Sequence, residues 1–458
     1  MIGTHRLDAA AFDRLAAGHG DFDAVSALAR AQESRRLLQV YAVVATARER
    51  LPHARTAHLT DALDLLAHVQ RTAPDAARTV LMHPYTGAWA MRCLLRLGGA
   101  DPDPSPAESD RLLGHLGAIA AAAALRADPE HGPPGRVELH TVGGWAHLPT
   151  LGRARVAGDP GRIALTGRHW STGGRPVARR QVNRRCSATA AGLTASLAIE
   201  DVDPYRDVHR WQPTARLSAR QVSLLQRNFA SAWGELAHSH RAYAGAMTAA
   251  LSTLVPVVGG PGVSFSSSSR YAFGGLALTP EVGPTTLAVT LVHEFQHNKL
   301  GAIQDITNLS VRSAVRYRAP WRLDPRPVGA LLQGAYAHLG IADFWRVRRQ
   351  IADREEQDRA QAEFAVHRAH VAEAIDTLRG SGELTPDGER VVRAMAGTVA
   401  SWWHEDVPAE AARHAAERVR SGRRAWVERN GDRDGATPAG GQSARVERHE
   451  TRDEHEIT

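Results

Sequence analysis

The stretch "LAVTLVHEFQHNKLGAIQDI", Leu287 to Ile306, decides the reading of the chain. It contains HExxH as His293, Glu294, Phe295, Gln296 and His297. Residues four apart on an α-helix share a face, so both imidazoles can turn to one ion. Glu294 follows the first histidine and is placed to face a metal-bound water as general base. Leu287, Val289, Leu291 and Val292 before the motif, with Leu300 and Ile303 after it, predict a helix packed into a core. Pro284 stands near its expected start.

A catalytic metal needs a third protein ligand and an open position. The metzincin pattern fails here, since Leu300 stands in place of Gly and Ile303 in place of His. Asp305 lies eight residues past His297, about 12 Å along a continuous helix. No glutamate occurs between His297 and the charged run "DREEQ" at 353–357. That run reads as a solvated face. The best-placed ligand type is His338, in "GALLQGAYAHLGIADFW", among Gly334, Ala335, Ala337 and Gly340. Small residues there let two helix backbones approach. Three imidazoles suit redox-active iron at least as well as zinc.

Iron oxygenases that use 2-oxoglutarate also need a cation for its distal carboxylate. Arginine suits that role by its bidentate fork. The segment "VRYRAPWRLDPRPVGALLQGAYAHLG" supplies Arg316, Arg318, Arg322 and Arg326, with Arg312 just upstream. Arg322 and Arg326 fall in a Pro-stiffened turn just before the His338 helix. Asp324, between them, is a structural partner for either.

The rest of the chain sets bounds. With 458 residues and 43% hydrophobic content, a sizeable core is expected. Two cysteines, Cys93 and Cys186, make no disulfide framework. The N-terminus lacks an apolar signal region, and no apolar run reaches the roughly 20 residues of a membrane helix. A cytoplasmic protein with no membrane partner is expected. The net charge of +7 is carried by 56 − 1 = 55 arginines and one lysine, Lys299. The arginines are spread along the chain, so no nucleic-acid partner is expected. Lys299 sits two residues after the metal motif, which suggests a local need for it.

The periodicity predicts an α+β fold, predominantly helical. Its elements are a central β-rich segment and a zincin-like HExxH helix flanked by an edge strand. Residues 1–130 read as a helical N-terminal region, with Thr60 as a helix cap. Residues 131–250 read as a β-rich segment plus a helix, and 251–427 as the metal-binding catalytic region. Residues 428–458 form a charged, Gly-rich tail too poor in apolar residues to fold. "GVSFSSSSRYAFGGLALTP" suits an edge strand and a loop beside a cleft.

"TLAVTLVHEFQHNKLGAIQDI" and "YRAPWRLDPRPVGALLQGAYAHLG" resemble the HExxH-motif proteins of actinobacterial peptide natural-product clusters. "HPYTGAWA", "HLPTLGRA" and "SSRYAFGGLAL" add weaker support. The resemblance implies an Fe(II)- and 2-oxoglutarate-dependent peptide β-hydroxylase acting on a ribosomally made precursor peptide. A radical SAM maturase of the same cluster would be a further partner. His293 and His297 match the motif ligands. His338 is carried over as third ligand, and Arg322 and Arg326 as co-substrate arginines. In an oxygenase Glu294 would orient a ligand or the substrate, since no general base is required. Ser267, Ser268, Ser269 and Arg270 would bind the peptide as an added strand. The alternative is a zinc metallopeptidase with Glu294 as general base.

Overall fold

A computed structural model describes residues 5–99, 105–133, 135–155, 161–167, 169–172, 175–176 and 179–431. It shows a mixed fold, predominantly helical, with two sheets. Six helices come first: α1 (Ala9–Ala16), α2 (Phe22–Arg50), α3 (His53–Thr72), α4 (Pro74–Leu81), α5 (Pro84–Leu97) and α6 (Pro106–Ala127). Their starts follow local chemistry. Asp8 and Asp21 accept backbone N–H bonds as N-caps of α1 and α2, and α4, α5 and α6 open on proline. Thr60 does not cap a helix, because α3 already starts at His53 after Pro52.

The first sheet holds β1 (Arg136–Val142), β2 (Trp145–Leu148), β3 (Gly152–Arg155), β4 (Arg162–Thr166), β5 (His169–Thr172), β6 (Arg175–Pro176) and β7 (Arg179–Gln181). All its pairings are antiparallel, in the order β6-β5-β4-β1-β2-β3-β7. Gly143 and Gly144 both have positive φ, as a two-residue hairpin between β1 and β2 requires.

The second sheet holds β8 (Arg184–Ala190), β9 (Leu193–Ile199), β10 (Thr253–Pro256), β11 (Ser266–Ser268) and β12 (Gly275–Leu278), in the order β11-β12-β10-β9-β8. β10 runs parallel to β9 and β12, while the outer strands β8 and β11 are antiparallel to their neighbours. β10 and β12 are buried throughout, as central parallel strands are. Leu254, Leu276 and Leu278 enter one hydrophobic core. Val255 and Ala277 enter the other. The period-two alternation therefore places this sheet between two cores.

Among the described residues seven more helices follow: α7 (Ala219–Ser239), α8 (Arg241–Ala250), α9 (Pro284–Gln304), α10 (Val328–Ile351), α11 (Arg354–Gly380), α12 (Pro386–Trp402) and α13 (Ala409–Asn430). α9 carries the motif and packs on α7, α10 and β11. α13 runs to Asn430, so residues 428–430, read from sequence as tail, belong to a helix. From 432 onward the tail lies outside the described residues. Among the described residues, no helix is long and apolar enough to cross a membrane.

Candidate metal centre and cleft

α9 is buried on every side from Leu287 to Gln296. A helix apolar all round belongs inside a core, and its polar residues must then find partners. His293 and Glu294 are each 1% exposed, whereas His297 is half-buried at a cleft. The His293 and His297 Nε2 atoms lie 3.1 Å apart. Two nitrogens sharing an ion at roughly 2.1 Å lie roughly 3.0–3.4 Å from each other. Gln333 fixes the tautomer of His297. Its Nε2 donates to Gln304 Oε1, so its Oε1 accepts from His297 Nδ1 at 3.1 Å. The proton then sits on Nδ1, and Nε2 presents its lone pair.

His338 comes from α10. Its ring centre lies 5.7 Å from that of His293, edge-on. The nitrogens of the three histidines are not all within 4.8 Å, so this structure shows a pair with a third ring beside it. His338 Nδ1 is 3.0 Å from His367 Nδ1, and His367 Nε2 is 3.5 Å from Glu363 Oε2. One proton order fits. His367 donates to Glu363 and accepts from His338 Nδ1, so the His338 proton sits on Nδ1 and the lone pair on Nε2. Burial works to raise the Glu363 carboxyl, but His367 and Arg418 hold it down to about 2.

Two glycines make this approach possible. A Cβ on Gly340 would lie 2.6 Å from Gln296 Cγ, so α9 and α10 touch backbone to side chain. A Cβ on Gly334 would lie 2.3 Å from the Trp321 ring. Trp321 stacks on His338, ring centres 4.2 Å apart.

The cleft, of about 710 Å³, is lined by Glu294, His297, Trp321, Arg322 and Arg326 among others. Arg322 Nε donates to Asp324 Oδ1 at 2.5 Å, and Arg326 Nη1 to Asp324 Oδ2 at 3.3 Å. Both arginines therefore already share a carboxylate, the structural partner that the turn offered. Asp305 is no ligand of this centre. It caps the end of α9 and receives Gln32, Arg35 and Arg270.

Ser267, Ser268, Ser269 and Arg270 also line the cleft. Ser267 and Ser268 lie on β11, the outer strand of its sheet. Trp211 Nε1 donates to the Ser266 carbonyl at 3.2 Å, so part of that edge is covered. Ser266 Oγ donates to Glu294 Oε1 at 2.7 Å. Burial raises the Glu294 carboxyl; His297 and the Ser266 and Ser268 hydroxyls oppose it.

Lys299 does not reach the cleft. It is 1% exposed and donates to the carbonyls of Gly18 and His19 at 3.0 and 2.6 Å. Tyr243, Phe295 and Tyr336 surround its ammonium. The local need for a lysine is thus structural: it ties α9 to the turn between α1 and α2.

Among the described residues, one group of three or more ligand atoms lies within 4.8 Å of one another: His83, Glu200 and Asp203. All three are buried, and they could hold a metal ion. The sequence does not mark them as ligands, nor does it mark Trp321, Gln333, Glu363 or His367 as supports of the α9 centre. Their spacing forms no motif, and only the tertiary fold brings them together. No protein-family model and no curated protein matches the chain.

Proposed function

We propose that the protein is an Fe(II)- and 2-oxoglutarate-dependent oxygenase that hydroxylates a β-carbon in a ribosomally made peptide. A radical SAM maturase acting on the same peptide is proposed as its partner. The carrying observation is one cleft bordered by His297, whose Nε2 lies 3.1 Å from that of the buried His293, and by the Arg322–Arg326 turn. The donor set of neutral imidazoles fits iron, and the arginines fit a dicarboxylate.

In this reading His293, His297 and His338 hold the metal. Gln333 and His367 keep protons on the outer ring nitrogens, so each Nε2 faces inward. Arg322 and Arg326 exchange Asp324 for the distal carboxylate of the co-substrate. Trp321 keeps His338 in place and narrows the cleft wall. Glu294, held by Ser266, orients His293 or the peptide. The peptide enters along Ser267–Arg270, on the stretch of β11 that Trp211 leaves open. When bound, iron supplies the oxidising chemistry. The balance is one 2-oxoglutarate, one O₂ and one C–H bond giving succinate, CO₂ and a C–OH.

One observation favours a zinc metallopeptidase instead. Glu294 Oε1 lies 4.0 Å from His293 Nε2 and borders the cleft, where a general base for water would stand. Glu294→Gln separates the two readings. It abolishes a peptidase, which needs its base, and only slows an oxygenase. Loss of all turnover in Glu294→Gln, with zinc-dependent peptide cleavage by the unaltered protein, would favour the peptidase.

A further inference from the structure

A second cluster lies apart from the α9 centre. His83 precedes α5, His147 is on β2, and Glu200 and Asp203 follow β9. Their exposures are 4%, 6%, 0% and 1%. His83 Nε2 lies 3.2 Å from Glu200 Oε2. His83 Nδ1 and His147 Nδ1 each lie 3.7 Å from Asp203 Oδ2. We propose that His83 through its Nδ1, His147 and Asp203 hold one buried divalent metal ion of the zinc type that fixes the fold, with Glu200 orienting the His83 ring through the hydrogen bond at its Nε2.

Unpaired atoms point to it first. Asp203 Oδ2, His83 Nδ1 and both ring nitrogens of His147 have no hydrogen-bond partner. Buried polar atoms are nearly always satisfied, and leaving several of them together is costly. The other carboxylate oxygens are all engaged. Glu200 Oε1 accepts from the Val202 and Asp203 amides, and Asp203 Oδ1 from the Tyr205 amide. Asn183 donates to Glu200 Oε2. Backbone and amide donors therefore aim the carboxylates, as groups around a metal do.

Geometry points the same way. Ligands at roughly 2.0–2.2 Å from one ion lie roughly 3–4.3 Å apart. The 3.7 Å separations of His83 Nδ1 and His147 Nδ1 from Asp203 Oδ2 fall in that range.

Enclosure argues for a structural ion. None of the four residues lines the cleft at His297, and structural zinc sites are closed. The ligands come from a helix start, the first sheet and the second sheet, so the ion would clip distant segments together. Pro84, next to His83, touches the entry to β12, where a Cβ on Gly275 would lie 3.0 Å from Pro84 Cβ. The clip would thus brace the sheet that carries β11.

The inference is independent of the function proposed for α9. The test uses the full chain with His293→Ala and His297→Ala, grown with zinc, which removes the α9 pair from the count. Elemental analysis should find about one zinc per chain. Adding Asp203→Asn and His147→Ala should leave less than about 0.2. No zinc in the double variant, or undiminished zinc after the added changes, would overturn the proposal. Should the fourfold variant not fold, chelation of the double variant decides. Its Tm should drop by at least about 5 °C and recover with Zn²⁺. An unchanged Tm would also overturn the proposal.

Discussion

Trp321 lies flat against His338, their ring centres 4.2 Å apart, in space that Gly334 leaves open. His338 is thus held by a stack on one side and by His367 Nδ1 at 3.0 Å on the other. A ring constrained twice has little freedom to lose when it binds an ion. His367→Ala should therefore weaken Fe(II) binding roughly 10–100-fold. Anaerobic titration of the folded variant reads this. Unchanged affinity would remove His367 from the support of the centre.

The contact between α9 and α10 gives the second prediction. Gln296 is fully buried, and its Nε2 donates to the Gly18 carbonyl at 3.0 Å, so it cannot swing away. Gly340→Ala should cost about 1–3 kcal/mol, read from the urea midpoint. Gly397→Ala is the control, since nothing lies within 4 Å of a Cβ there.

Acid stability should follow the buried histidines. Burial brings His209 and His240 down to about 4. For His240, Asp343 opposes the shift while Arg348 and Arg346 add to it. The unfolded chain binds these protons first, near the ordinary value of 6.5. Stability is therefore full above that pH and is lost as pH falls toward 4. His240 stacks on Phe344 at 4.6 Å, so His240→Phe keeps the packing and removes the proton site. The variant should recover roughly 2 kcal/mol of the stability lost between pH 7 and pH 5. An identical acid limb in thermal melts would contradict this.

The C-terminal boundary is testable by truncation. Asn430 Nδ2 donates to the Leu323 carbonyl at 2.8 Å, inside the turn that bears Arg322 and Arg326. Ending the chain after Gly431 should leave Tm unchanged. Ending it after Val427 removes that bond, worth about 1 kcal/mol, and should lower Tm by about 1 °C.

The sequence held the helical character, the motif helix and the outer serine strand in plain view, because each follows from periodicity or a short motif. "HEFQH" and the small residues around His338 pointed to one helix pair, and the glycines at 334 and 340 do bring it together. Other features were hidden for a physical reason. His367 lies 29 residues beyond His338, and Glu200 lies 117 beyond His83. Only packing joins them. The turn at Arg322 offered both a co-substrate site and an ion pair with Asp324. The fold uses the ion pair.

The central claim is that iron at the His293–His297 pair and 2-oxoglutarate at Arg322 act together at the cleft that His297 borders. The direct measurement is succinate formation with Fe(II), 2-oxoglutarate, O₂ and a candidate precursor peptide, followed by peptide mass. The account predicts succinate matched by one added oxygen atom on the peptide. In Arg322→Ala or Arg326→Ala the 2-oxoglutarate requirement should rise by about 10-fold or more, with metal content unchanged, as loss of a charge-assisted bond implies. No succinate under these conditions, with peptide cleaved when zinc is supplied and a dead Glu294→Gln variant, would contradict it.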